Sequence, residues 1–180
     1  MVVREDNLDG VARVESSNDS MTVKKGAATN FRFVPLRMDH AELLFEWQND
    51  ALSLAMSRTT ARAEWGDHLR WVENAIKSDA KRVDIAELDG QLIGWVRFDF
   101  DEETELSWYV DKNFRGAGNG RLIVSEALKT FNGPVLAVIK PENVGSIRIA
   151  QRNGFLCSKF EDGLFYFKRN NQAVVPTRVA

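Results

Sequence analysis

Cysteine and histidine are scarce in this sequence. One cysteine, Cys157, among 180 residues excludes an intrachain disulfide and a multi-cysteine zinc site. It suits a reducing compartment, so a cytoplasmic location is expected. Two histidines, His40 and His68, are too few for a histidine-rich metal centre, and no metal is expected. No run approaches the ~20 apolar residues of a membrane span, so no membrane partner is expected. Excess charge of either sign is also missing. The 24 Lys+Arg against 26 Asp+Glu leave a net charge of −2, which argues against a nucleic-acid partner held by phosphate neutralisation. Residues 1–10 carry charges without an apolar stretch, so no secretory signal is expected there.

What is present is an ordinary globular mix, 44% hydrophobic and 28% charged. The aromatics (5 Trp, 2 Tyr, 11 Phe) all fall between Phe31 and Phe167. Aromatic side chains bury the most area each, so the core is expected to stop where they stop. This divides the chain into a flexible leader over 1–30, one domain over 31–168, and a polar tail over 169–180.

Hydrophobic spacing predicts the elements. Residues 31–37 read as an edge strand, with Pro35 removing a ladder donor. Asp39 caps a helix carrying Leu43, Leu44, Trp47 and Ala51 on one face, and Thr60 caps a second with Trp65, Leu69, Val72 and Ile76 as its stripe. Residues 82–88 and 91–100 form a hairpin around Asp89-Gly90. In a strand over 104–110, Thr104, Leu106, Trp108 and Val110 face one way, and Glu105, Ser107 and Tyr109 the other. A helix follows Arg121 directly, with Val124, Ala127, Leu128 and Phe131 as its buried face. A doubly covered strand follows over 134–139, then a helix over 142–153 stopped by Gly154, and a closing hairpin over 157–160 and 164–168. The whole is a mixed α/β domain, and monomer and homodimer are both open.

The sequence Arg115-Gly-Ala-Gly-Asn-Gly-Arg121 joins a strand to a helix. Glycines there let successive N–H groups converge, and the helix adds its positive end, which makes an anion cradle. Gly120 is followed by Arg121-Leu122 rather than Lys-Ser/Thr, so this is not a nucleotidase phosphate loop. Arginine at 121 also breaks a dinucleotide fingerprint.

The stretch Val110-Asp-Lys-Asn-Phe-Arg-Gly-Ala-Gly-Asn-Gly-Arg-Leu resembles the acetyl-CoA pyrophosphate loop of the GCN5-related N-acetyltransferases (GNAT). Pro141-Glu-Asn-Val-Gly-Ser-Ile-Arg and Arg152-Asn-Gly-Phe155 resemble the second signature of that family. The resemblance implies a mostly antiparallel sheet of six to seven strands flanked by about four helices. It implies acetyl-CoA as cofactor and direct attack of an amine on the thioester. Backbone amides of Arg115, Gly116, Ala117, Gly118, Asn119 and Gly120 would hold the pyrophosphate, with charge from Arg115 and Arg121. Asn143 and Ser146 would touch the CoA arm. Pantetheine would lie where the strand ending at Val110 parts from the strand starting at Val135, and an amide at Tyr109 or Val110 would polarise the carbonyl.

The family's usual tyrosine acid falls at Ala150, so that hydroxyl is absent. A thiol of pKa about 8.5 can leave without it, and Tyr109, Tyr166 or water can substitute. Glu105 is the candidate base, sharing a strand face with Ser107 and Tyr109, and Asp99 is second. Leu44-Phe-Glu-Trp-Gln-Asn-Asp50 and Trp65-Gly-Asp-His-Leu-Arg-Trp71 are similar to a branch that acetylates nucleotide-linked amino sugars, although Gln48 stands where that branch carries arginine. The same region resembles ribosomal-protein N-terminal acetyltransferases. Trp47, Asn49, Met56, Arg58 and His68 are expected to line the acceptor side, with Arg58 or Arg62 on a diphosphate. The alternatives are a protein N-terminal acetyltransferase and a non-catalytic acyl-CoA-binding module.

Overall fold

The computed structural model describes residues 30–170, so most of the expected leader and tail lie outside the described residues. Seven strands form one sheet in the order β1-β2-β3-β4-β5-β7-β6. They are β1 (Phe31–Pro35), β2 (Lys81–Leu88), β3 (Gln91–Asp99), β4 (Glu105–Val110), β5 (Val135–Ile139), β6 (Leu156–Glu161) and β7 (Leu164–Arg169). The helices are α1 (Ala41–Gln48), α2 (Ala51–Met56), α3 (Trp65–Lys77), α4 (Asn119–Lys129) and α5 (Val144–Arg152). Neighbouring strands are antiparallel except β4 and β5.

Five helices appear where about four were expected, because the helix predicted after Asp39 breaks in two. Asn49 and Asp50 leave the helical path, and the Asp50 carboxylate accepts from the Ser53 amide at 3.1 Å, capping α2 afresh. The third helix starts at Trp65 after Glu64, four residues later than a Thr60 cap requires. β5 alternates between buried and half-buried positions rather than being covered fully on both faces.

The sheet carries a core on each face. On one face, Ile93, Phe98, Leu106, Ile123, Val124 and Phe155 belong to a cluster with α4 and α5. On the other, Leu44, Trp47, Val72, Ile85 and Tyr109 pack with α1 and α3. The predicted alternation of β4 holds, since Leu106 joins the first cluster and Tyr109 the second.

His68 ties α1 to α3. Its Nε2 lies 2.8 Å from the Ala41 carbonyl, which requires that nitrogen to carry the proton. The Gln48 side-chain amide lies 3.1 Å from Nδ1, and Trp65 and Trp71 stack on either side. Burial holds both His68 and His40 below the ordinary imidazole value of 6.5, so each stays neutral in the fold. The unfolded chain therefore binds more protons once pH falls below about 6.5, and stability declines from there until the folded histidines protonate too. Carboxylates held low, such as Asp50, stabilise the fold above their ordinary value of 3.8 and lose that contribution only below it. The urea midpoint is expected to be flat from pH 8 to 7 and to fall by pH 5.5. His68→Gln should shrink that fall.

Candidate active site

β4 and β5 pair at one position, Glu105 with Leu136, where the Leu136 amide donates to the Thr104 carbonyl at 2.9 Å. Both strands run on past it, β4 to Val110 and β5 to Ile139, so a cleft opens toward their C-terminal ends. β4 stays paired with β3 throughout. Alternation then assigns its polar groups. Thr104 faces β5, so Leu106, Trp108 and Val110 turn their N–H and C=O to that edge. The Asp111 amide donates to Ile93 of β3 at 2.9 Å, so Ser107 and Tyr109 turn theirs to β3. Of the two amides expected to face an acyl carbonyl, Val110 lies on the open edge and Tyr109 does not.

The glycine loop follows β4 directly. Gly116 and Gly118 hold φ of +85° and +88°, and a Cβ on either would meet nothing within 4 Å. Both lie on an exposed rim at the start of α4. Gly120 is different. A Cβ there would come 2.5 Å from Ile149 Cδ1 and 3.2 Å from Val110 Cγ2, so this glycine lets α4 pack against α5 and β4. Asn119 closes the loop by donating from Nδ2 to the Phe114 carbonyl at 2.9 Å. Asn143 caps α5, its Oδ1 accepting from the Ser146 amide at 3.0 Å.

Arg115 departs from expectation. Its guanidinium folds away from the loop, donating from Nε to the Val110 carbonyl at 2.9 Å and from Nη2 to Asp50 at 3.0 Å. Burial pushes the Asp50 carboxyl up, but hydrogen bonds from Arg115 and Ser53 outweigh it and hold the group below its ordinary value. The Arg115 charge is thus spent inside the protein, whereas Arg121 is exposed in the first turn of α4.

The predicted acceptor residues separate into two groups. Trp47 is 3% exposed and donates from Nε1 to Asp111 at 2.7 Å, so it belongs to the core rather than to an acceptor surface. Asn49 grips the Ala63 backbone through both side-chain atoms, and His68 is the buried tie between α1 and α3. Their assignment to the acceptor side came from the resemblance of residues 44–50 and 65–71 to the amino-sugar branch, and burial here makes them structural ties instead. Met56 and Arg58 instead line an open cavity of about 580 Å³, with Ala55, Lys140, Glu142 and Asp162. Sequence reasoning missed Lys140, Glu142 and Asp162. They lie after β5 and in the β6–β7 turn, which only the sheet order brings beside α2.

Glu105 does not line this cavity but is tied to it through Arg58, its Oε1 accepting from Arg58 Nη2 at 2.6 Å. Asp99, directly opposite Glu105 on β3, is bound by Arg97 at 2.6 Å. Tyr109 packs between Trp47 and Trp95 beside the Arg115 guanidinium. Burial pushes its phenol up to about 12 against the pull of Arg115, so it stays protonated. Tyr166 carries Lys159 over its ring at 4.4 Å. Ala150 is fully buried.

The sequence model of the acetyltransferase (GNAT) domain matches residues 30–156. The chain belongs to the GNAT acetyltransferase family. Solved structures agree on the fold at low identity. Spermidine N-acetyltransferase from Vibrio cholerae, in complex with CoA and spermine, is 14% identical, with a TM-score of 0.70 over 78% of this chain and 95% of that one. The aminoglycoside acetyltransferase AAC(6')-Ib with coenzyme A is 17% identical, with a TM-score of 0.66 over 79% and 95%. A ribosomal L7/L12 α-N-protein acetyltransferase with CoA is 13% identical, with a TM-score of 0.68 over 79% and 95%. As a GNAT acetyltransferase, the protein is an acyl-transfer enzyme. Among the described residues no cluster of His, Cys, Asp or Glu suits a metal ion, and no helix is long and apolar enough to cross a membrane.

Proposed function

We propose that the protein moves an acetyl group from acetyl-CoA to the primary amine of a small acceptor. The parted β4–β5 edge beside an exposed glycine loop carries this reading. The amides of Gly116, Ala117, Gly118 and Asn119, with the N-terminus of α4 and Arg121, would hold the pyrophosphate. Arg115 takes a positioning role, bracing the loop against Val110 and Asp50. Gly120 serves by packing. Asn143 and Ser146, at the start of α5, flank the CoA arm.

Acetyl-CoA supplies an activated thioester whose thiol is a tolerable leaving group. The Val110 amide, on the open edge of β4, would donate to the thioester carbonyl oxygen as it gains charge. Glu105 lies five residues before Val110 on β4, about 16 Å along the strand, so it would take the amine proton through a chain of water rather than directly. Tyr109, protonated throughout the working range, is the candidate donor to the departing thiolate in place of the hydroxyl absent at Ala150.

For the acceptor, we propose a nucleotide-linked amino sugar in the cavity beside Met56. Arg58 would exchange Glu105 for a phosphate and so free the carboxylate to accept a proton. Glu142 and Asp162 on the same wall favour a second reading, a polycationic amine.

The test is release of free thiol from acetyl-CoA over amino-sugar nucleotides, polyamines, aminoglycosides and N-terminal peptides. Turnover on peptides alone would overturn the small-amine reading. CoA binding without turnover on any acceptor would favour a non-catalytic binding module. Gly118→Trp is expected to weaken CoA binding about tenfold or more by filling the cradle. Gly90→Trp is the control, because Gly90 has a similar φ of +82° at the distant β2–β3 turn. Equal CoA affinity in the two variants would refute the placement.

A further inference from the structure

α2 is held by polar ties more than by packing. None of its six residues is buried, and Leu52 is 48% exposed. At its C-terminal end Lys140 Nζ donates to the Ala55 carbonyl at 3.2 Å. At its N-terminal end Asp50 Oδ2 accepts from the Ser53 amide at 3.1 Å and from the Ser53 hydroxyl at 3.3 Å. The same oxygen accepts from Arg115 Nη2 at 3.0 Å. One carboxylate oxygen thus serves both the cap of α2 and the first residue of the glycine loop.

Arg115 is committed on its own side as well. Its Nε holds the Val110 carbonyl at 2.9 Å, and its guanidinium lies 5.4 Å from the centre of the Tyr109 ring. A planar fork that grips two acceptors fixes their relative placement. A second tie joins the same two segments. Trp47 Nε1 donates to Asp111 Oδ2 at 2.7 Å, while Asp111 Oδ1 accepts from the Asn113 amide at 2.8 Å. Trp47 is buried, so that tie is an anchor. The Arg115 and Asp50 side chains keep 30% and 20% of their exposure, so their tie lies nearer the surface. Beyond it, α2 carries Ala55 and Met56 to the wall of the cavity.

We infer that Asp50 is a positioning residue, which through Arg115 sets α2, and with it the Met56 wall of the cavity, from the state of the glycine loop. This rests on the proposed CoA site and adds a link from it to the acceptor side. A pyrophosphate on the loop amides fixes the backbone that carries Arg115. The guanidinium is fixed with it, and so is the carboxylate that caps α2. Occupancy of the loop and order of the cavity wall are then coupled.

Hydrogen–deuterium exchange over residues 51–58 tests the link. It is measured without ligand, with CoA, and with 3′-phospho-ADP, which ends at the pyrophosphate and lacks the pantetheine arm. Calorimetry establishes saturation. In the native protein both ligands are expected to slow exchange there about fivefold. Asp50→Ser keeps an N-cap for α2 but is too short to reach Arg115. Both ligands should still bind this variant, and exchange over 51–58 should no longer respond to them. Arg115→Lys cannot fork to Val110 and Asp50 together, so it should lose the response from the loop side. Lys140→Met is the contrast. It cuts the other tie, so exchange over 51–58 should be faster throughout, with the response to ligand kept. A response that survives in Asp50→Ser, or no response in the native protein once ligand is bound, would overturn the inference. A native protein that binds neither ligand would overturn the underlying site instead.

Discussion

Gly94→Ala is expected to destabilise the protein by about 3 kcal/mol, a large share of what a domain of this size has to lose. Gly94 lies opposite Val110 in the β3–β4 ladder. A Cβ there would stand 2.1 Å from the Tyr109 carbonyl oxygen and 3.2 Å from Ile123 Cδ1. The first clash is with backbone. It can be relieved only by pushing β4 away from β3, at the stretch that lines the cleft. The contrast is Gly120→Ala, whose Cβ would meet side chains only, the end of Ile149 and a methyl of Val110, which yield more readily than backbone. Urea unfolding should show a much lower midpoint for Gly94→Ala than for Gly120→Ala. CoA affinity should fall with it, because the Val110 edge moves. A Gly94→Ala midpoint within about 0.5 kcal/mol of the native protein would contradict the geometry.

Glu105→Gln is expected to lower kcat/KM about 100-fold near neutral pH, the usual scale of a positioned general base. The amine must be neutral to attack, and glutamine cannot take its proton. The rate of the variant should then follow the ionisation of the amine alone, rising steeply toward the amine's own pKa. Because Glu105 also binds Arg58, a loss of activity by itself has two explanations. Arg58→Ala separates them, for it breaks the pair and leaves the carboxylate. If Glu105 acts as the base, Arg58→Ala raises KM for an anionic acceptor and keeps the native pH profile. Equal losses from both single variants and the double variant, with an unaltered profile, would assign Glu105 to the ion pair alone.

Those two predictions rest on residues of unequal legibility. Glu105 stood out from the sequence because β4 alternates with period two, and one face of it carried the polar groups. Gly94 did not, since nothing local distinguishes a glycine that admits a neighbouring carbonyl from one in a loosely packed strand. The loop glycines show the same division. Gly116 and Gly118 were legible through their spacing before a helix. The packing duty of Gly120 depends on Ile149, which is distant in sequence.

The acceptor side was the least legible region. Trp47, Asn49 and His68 carry the residue types of a binding surface, yet burial and hydrogen bonding turn all three inward. Arg115 was read as a charge for the cofactor, but its partner Asp50 lies 65 residues away in sequence. A side chain with several donors goes to the best acceptor in reach, and reach is a property of the fold.

Local periodicity and turn chemistry by themselves determined the order of the strands and most helices along the chain, the limits of the aromatic core and the glycine loop that joins β4 to a helix. These depend on residues close together in the chain, and the near-zero net charge agrees with them, because a cradle of backbone amides needs no global basic field. Tertiary structure alone decided where β4 and β5 part, which β4 amides face the opening, which arginine stays free and which residues wall the cavity. Each of those is a competition between partners far apart in sequence, settled only when packing brings them within hydrogen-bond range.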